Sequence, residues 1–268
     1  MKARKSLGQH FLGDPRLLAR IAAATTAEAG DVVLEIGPGP GALTAALLDR
    51  GATVVAIERD PRMAATLHRR FADRPFSLVE GDALELDWAG LVAPWTGLGA
   101  TWRVAGNIPY YITSPLLDRA LRTPLPASVT YLVQREVADR VVAPAGHDDY
   151  GALSIGIQAV AVATRGMTVA AGAFSPPPKV DSAVLHLVPR STPLVVPEQI
   201  PAFRRLVTGL FSYRRKRMHR AIREALGLDP AAATDLLAAA AIDPDLRPEV
   251  VDVPAWVRLL HALPGESP

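Results

Sequence analysis

The stretch from Val32 to Leu48 constrains the fold most. Val32-Val33-Leu34-Glu35-Ile36 is a short apolar run rich in β-branched residues, the pattern of a strand buried on both faces. Gly37-Pro38-Gly39-Pro40-Gly41 follows at once, and Ala42–Leu48 then reads as a helix. A glycine-rich turn between a buried strand and a helix lets a ligand lie against the backbone, because no Cβ stands in the way. Gly37, Gly39 and Ala42 also satisfy the looser dinucleotide-binding spacing. Glu58 falls 21 residues beyond Gly37 at the end of the next strand, where an acid accepts hydrogen bonds from ribose hydroxyls. A nucleoside cofactor is implied.

Two such cofactors, NAD and S-adenosylmethionine, have to be separated. A pyrophosphate is bound by free N–H groups at a helix N-terminus. Pro38 and Pro40 remove two of those donors and stiffen the loop instead, which favours a ligand without phosphate. Asp82, in Val79-Glu80-Gly81-Asp82-Ala83 just past a third strand, is placed to accept from an adenine amino group or to serve as a turn residue.

The rest of the chain extends this beginning into an α/β fold. Strands are predicted at Val32–Ile36, Thr53–Glu58, Phe76–Glu80, Trp102–Ala105, Val129–Val133, near Met167–Val169 and at Ala183–Val188, alternating with helical patterns. Such alternation makes βαβ units, here a Rossmann-like, seven-stranded, mainly parallel sheet. Asp60-Pro61 supplies an N-cap with proline at the first helical position, a device repeated at Asp14-Pro15, Asp229-Pro230 and Asp243-Pro244. After Pro189 a proline-rich segment leads into residues that read only as helix. The expected division is a catalytic domain over 1–190 and a smaller all-α domain over 191–268.

With 268 residues, 49% of them hydrophobic and 21% charged, the chain is long enough for a sizeable core. The absence of cysteine excludes disulfides, thiolate metal sites and cysteine nucleophiles, and leans towards a cytoplasmic protein. No apolar run approaches the roughly 18 residues of a membrane span. Gln9, His10, Asp14, Arg16 and Arg20 interrupt any secretory h-region, so a soluble protein with no membrane partner is expected. The six histidines show no metal-ligand spacing, and no metal is assigned. Net charge is only +2, but Arg204, Arg205, Arg214, Arg215, Lys216, Arg217, Arg220 and Arg223 fall in one segment without an acid. Such a run suits nucleic-acid phosphates, with Lys2, Arg4 and Lys5 as possible additions to that surface.

Asn107-Ile108-Pro109-Tyr110 stands at the end of the fourth strand, on the sheet edge where ligands and chemistry collect. Methylating an adenine amino group is difficult because the N6 lone pair is delocalised into the ring. Two acceptors aimed at the amino hydrogens pull that nitrogen towards tetrahedral geometry. The Asn107 side-chain oxygen and the Ile108 carbonyl are candidates, since Pro109 biases Ile108 to an extended conformation and offers no competing N–H. Tyr110 can stack on the base, which must be unstacked or single-stranded.

These residues together resemble the KsgA-type ribosomal RNA adenine dimethyltransferases. The matching pieces are Gly8-Gln9-His10-Phe11-Leu12, the run from Glu35 through the glycine turn to Thr44, Asn107-Ile108-Pro109-Tyr110, Gln134-Arg135-Glu136-Val137, Phe174-Ser175-Pro176-Pro177-Pro178-Lys179-Val180-Asp181-Ser182, and Arg214-Arg215-Lys216. The resemblance implies a class I S-adenosylmethionine-dependent methyltransferase whose cofactor pocket is formed by His10, Leu12, Gly37, Glu58, Asp82 and Asn107, with Gly39 in the same turn. It implies dimethylation of two adjacent adenosines in a hairpin loop near the 3′ end of 16S ribosomal RNA, within the assembling 30S subunit. Phe174 would close the target base from the face opposite Tyr110, and Arg214, Arg215, Lys216, Arg217 and Arg220 would contact RNA. The family usually carries Asn where this chain has His10, a residue that also donates and accepts hydrogen bonds. A monomer is expected. The competing readings are a resistance-type methyltransferase acting on large-subunit RNA, a non-catalytic assembly factor, and an NAD-dependent oxidoreductase, which leaves Asn107–Tyr110 and the basic run unexplained.

Overall fold

The computed structural model describes residue 4, residues 7–96 and residues 101–263. The chain runs β1 (Phe11–Leu12), α1 (Pro15–Ala24), β2 (Val32–Ile36), α2 (Ala42–Leu48), β3 (Thr53–Glu58), α3 (Pro61–Arg70), β4 (Phe76–Glu80), α4 (Trp88–Val92) and β5 (Trp102–Asn107). It continues with α5 (Thr113–Ala120), β6 (Val129–Gln134), α6 (Arg135–Val142), α7 (Ala152–Gln158), β7 (Ala161–Val169), β8 (Phe174–Ser175) and β9 (Ser182–Pro189). Four helices close it: α8 (Ile200–Phe211), α9 (Met218–Leu226), α10 (Pro230–Ala239) and α11 (Val253–His261).

Seven strands form one sheet in the order β4-β3-β2-β5-β6-β9-β7. β2 lies parallel to β3 and β5, β3 to β4, and β5 to β6, whereas β9 is antiparallel to β6. The order reverses between β2 and β5, and a crevice opens at such a switch point beyond the carboxyl ends of the strands. All five residues of β2 are buried. The two strands flanking the crevice approach closely: a Cβ on Gly106 would sit 2.6 Å from the Ile36 carbonyl oxygen. Gly41, at φ +82°, is required on two counts, since a Cβ there would also meet Leu67 and Phe71 at 2.7 Å.

The seven expected strands are present. β7 exceeds its expected length most, for it begins at Ala161, and its largely exposed stretch through Thr164, Arg165 and Gly166 lacks the apolar alternation by which a strand is recognised. A further two-stranded sheet pairs β1 with β8 antiparallel, Phe11 opposite Ser175 and Leu12 opposite Phe174. Asp14, Asp60 and Asp229 cap α1, α3 and α10 by accepting backbone N–H groups, each with proline next. Asp243-Pro244 instead makes a turn in which the Asp243 carboxylate accepts from Asp245 N.

The chain divides into two compact units, one holding residues up to Ala138 with Thr164–Pro189, the other Asp139–Ala163 with the residues from Arg190 onwards. The stretch 139–163, which the sequence assigned to the first domain, is therefore counted with the helical part. Its bonds show why: Gln158 Nε2 donates to the carbonyls of Val141 and Ala143, Arg190 Nε donates to Gln158 O, and the Tyr150 hydroxyl donates to Val251 O. In α8 the stripe Phe203, Leu206, Val207 and Leu210 is buried as the 3.6-residue period requires. Trp256 is fully buried in this unit, with Phe211 5.7 Å from it between ring centroids. Among the described residues no helix is long and apolar enough to cross a membrane.

Candidate active site

One cleft collects the carboxyl ends of β2, β3 and β5, the turn after β4, and the segment Leu7–Leu12. His10, Leu12, Gly37, Gly39, Glu58, Asp82 and Asn107 all line it, as do Ile108, Pro109 and Tyr110. Residues as far apart as 10 and 107 meet because the N-terminal segment lies against the end of β5: Asn107 Nδ2 donates to the His10 carbonyl at 2.8 Å.

The glycine turn is held by its own backbone. Gly37 N donates to Ile57 O, Gly41 N to Pro38 O, and Gly39 N to Glu58 Oε2 at 2.9 Å. Glu58 Oε1 accepts from Asp60 N at 2.8 Å, so this carboxylate staples the turn to the end of β3. Burial raises the Glu58 pKa, opposed by these backbone donors. Gly37 has φ +65°, and a Cβ built on it would meet nothing within 4 Å, so the cleft wall there is bare backbone. Asp82 serves as a turn residue, with Oδ1 accepting from Leu84 N, while Oδ2 pairs with Arg59 at 3.1 Å.

Glu35 was quoted in the sequence only as part of the motif, yet it lines the same cleft at 1% exposure. The Thr44 hydroxyl donates to it at 2.6 Å. Burial pushes its pKa up to about 8, with Glu58 adding to the rise and Thr44 opposing it. The signal for it was a single charged residue inside an otherwise apolar buried strand.

At the catalytic tetrapeptide, the bond from Nδ2 to His10 leaves Asn107 Oδ1 available as an acceptor. Pro109 is extended at φ −59°, ψ 132°. The Tyr110 hydroxyl shares a 2.6 Å hydrogen bond with Ser182 Oγ, and burial raises the Tyr110 pKa, so the phenol stays neutral. The His10 ring stacks with that of Tyr110, 5.8 Å between centroids and 19° apart. His10 Nδ1 lies 2.8 Å from the Pro176 carbonyl, which can only accept, so this nitrogen carries the proton. His10 thereby ties the proline stretch to the tetrapeptide. Phe174 is not among the residues that line the cleft: it pairs opposite Leu12 and is buried at 4% exposure in the core cluster that also holds Leu12, Leu18 and Ile21. Neither Ser182 nor the exposed Tyr111 was singled out from sequence.

The basic run lies in the other unit, largely in the turn between α8 and α9. Arg215, Lys216, Arg217 and Arg220 line a shallow recess there with Asp245 and Arg247. Arg217 pairs with Asp245 at 2.7 Å and Arg220 with Glu224 at 3.5 Å, while Arg214 is exposed beside them. Lys2 and Lys5 lie outside the described residues. Among the described residues no group of three or more His, Asp or Glu side chains is placed to hold a metal ion.

Residues 1–245 match the family model described as ribosomal RNA adenine dimethylase. The chain belongs to this family. It is 42% identical over 266 residues to the ribosomal RNA small subunit methyltransferase A of Geobacter metallireducens, covering 98% of this chain and 96% of that one. The protein of the same name from Pseudomonas aeruginosa is 39% identical, covering 98% and 97%. Among solved structures, a dimethyladenosine transferase from Plasmodium falciparum superposes with a TM-score of 0.80 at 26% identity, covering 94% and 96%. The 23S rRNA methyltransferase ErmE gives 0.71 at 27%, covering 94% and 99%.

The family and the sheet order make this an adenine dimethylase enzyme with a class I methyltransferase fold, and that fold implies S-adenosylmethionine as methyl donor. The cleft fits such a group. Bare backbone at Gly37 lets a ligand approach closely, Glu58 and Asp82 supply acceptors, and Leu12, Ile57 and Ala83 supply apolar walls. Nothing in the family supports the NAD-dependent reading.

Proposed function

We propose that the protein dimethylates the N6 amino groups of two adjacent adenosines in a hairpin loop near the 3′ end of 16S ribosomal RNA. It acts as a monomer in the cytoplasm on the assembling 30S subunit, with S-adenosylmethionine as cofactor. The observation that carries this reading is the orientation of Asn107, whose amide nitrogen is engaged by His10 while its oxygen remains free beside Ile108, Pro109 and Tyr110.

Bound S-adenosylmethionine supplies an activated methyl group. The turn at Gly37 and Gly39 receives it against backbone, Glu58 accepts from ribose hydroxyls with the lone pairs that Gly39 and Asp60 leave over, and Asp82 accepts from the adenine amino group. Asn107 Oδ1 and the Ile108 carbonyl accept the two hydrogens of the target amine and so direct its lone pair outward. Tyr110, pinned by Ser182, offers its ring to the base. No general base is required, because the amine becomes acidic only after transfer and then loses its proton to water. Catalysis comes from alignment and fixed dipoles. Arg214, Arg215, Lys216, Arg217 and Arg220 hold RNA phosphates, giving binding that weakens with salt.

The second reading is methylation of large-subunit RNA, favoured by the likeness to ErmE; the names of the closely similar full-length relatives favour the small subunit. Methyl incorporation from labelled S-adenosylmethionine into unmethylated small subunits, large subunits and DNA, with mass analysis of the nucleosides, separates them. Dimethyladenosine in small-subunit RNA alone is expected. Label in large-subunit RNA moves the protein to the other reading, and cofactor binding without incorporation leaves an assembly factor.

A further inference from the structure

We infer that Tyr111 is a base-stacking residue that receives the nucleotide beside the target adenosine; the inference rests on the ribosomal RNA reading above. Tyr110 and Tyr111 are successive residues of a single 3-10 turn, Tyr110–Ile112, and both line the cleft. Their environments differ. Tyr110 is half-buried, stacked with His10 and bonded to Ser182. Tyr111 is 58% exposed, the highest figure for any large apolar side chain among the described residues.

The ring of Tyr111 does have a neighbour on one side. It packs along the backbone of Gly8, where φ is +60° and a Cβ would come within 3.2 Å of a ring carbon. The contact leaves most of the ring uncovered. Most of the ring's surface is thus left open at the mouth of the catalytic cleft. It suits a substrate that brings an unstacked base. Drawing one adenosine out of a hairpin loop to reach Asn107 strips a stacking partner from its neighbour. Tyr111 stands one residue from the target's platform and can replace that partner, since base–aromatic stacking tolerates any base and favours the larger purines. With two adjacent adenosines as substrate, Tyr111 serves the step in which the second adenosine lies on its side of the target.

The test uses unmethylated small subunits with the full chain and its Tyr111→Ala and Tyr111→Phe forms. Tyr111→Ala is expected to raise KM for subunits about tenfold, and Tyr111→Phe to leave it within about twofold. The affinity for S-adenosylmethionine, measured by calorimetry, stays the same in all three. In subunits where one of the two adenosines is replaced by uridine, methylation of the remaining one by the unaltered protein is expected to fall about threefold or more in kcat/KM, while Tyr111→Ala loses nothing further. An unchanged KM in Tyr111→Ala overturns the inference, as does an equal uridine effect in both proteins. Loss of cofactor affinity in parallel with the KM change overturns it too, since the ring would then act by shaping the Gly8 segment. If the unaltered protein methylates no small-subunit adenosine, the functional reading itself falls and takes this one with it.

Discussion

The cleft and the basic turn use polar groups in opposite ways. In the cleft Glu35 and Glu58 are 1% and 5% exposed, each held by short bonds to the turn or to α2, and burial raises both pKa values. In the turn between α8 and α9 the charges are exposed and their pairs, such as Arg217 with Asp245, sit in water, where an ion pair contributes little. A buried, pre-bonded group is already oriented and loses little when a ligand arrives; an exposed guanidinium acts at a distance and is screened by salt. The cleft is built for geometry and the turn for attraction.

Altering Asn107 should give the largest effect on this contrast. Asn107→Ala is expected to reduce kcat for methyl transfer by about a hundredfold or more, with cofactor and subunit affinities within a few-fold of the original. A rate near the original would remove the two-acceptor mechanism. Next comes Gly41→Ala, which forces a Cβ against Leu67 and Phe71 at a left-handed position. A loss of about 1–3 kcal/mol in urea unfolding is expected, and an unaltered midpoint would show that the turn is less rigid than its bonds imply.

The turn should respond differently. Replacing Arg215 and Lys216 together by alanine is expected to weaken subunit binding and lower the slope of log affinity against log salt by about one for each lost phosphate contact. Cofactor affinity should not change, and a salt slope equal to the original would show that these side chains do not meet RNA. Glu35→Gln is expected to act on the shape of a pH profile, and not on a rate or on RNA affinity. The folded-state pKa of Glu35, about 8, is above its ordinary value of 4.5. Its contribution to stability is therefore fully present below about pH 4.5, declines as the unfolded chain ionises, and is gone above about pH 8. Glu35→Gln should flatten that decline in urea midpoints between pH 5 and 8; an unchanged slope would mean the carboxyl is ionised in the folded protein.

Much of the cleft was legible because its parts are local. Gly37, Gly39, Glu58, Asp82 and Asn107 each sit at the end of a strand whose residues announce it, and strand order brings them to one edge. Contacts made at long range were not legible. Nothing in Phe11-Leu12 or Phe174-Ser175 alone shows that two residues on each side pair, and that pairing leaves Phe174 buried opposite Leu12. Ser182 looks like the start of an ordinary strand until the Tyr110 hydroxyl is seen 2.6 Å away. The basic run was read as a charged segment, but the chain turns within it, so Arg215 and Lys216 flank a recess with Arg247, which comes 31 residues after Lys216.

The passage of residues 139–163 into the helical unit and back has a consequence for how the protein is made. A ribosome synthesises α7 well before α8 and α11, which pack on it, and the strands β7, β8 and β9 emerge in between. The early segment must wait through the completion of the sheet for the helices that pack against α7. A fragment begun at residue 191 would lack that segment altogether. The helical unit cannot be detached, exchanged or grafted by a cut at one peptide bond; it takes two stretches of chain, and the one that comes first finishes last.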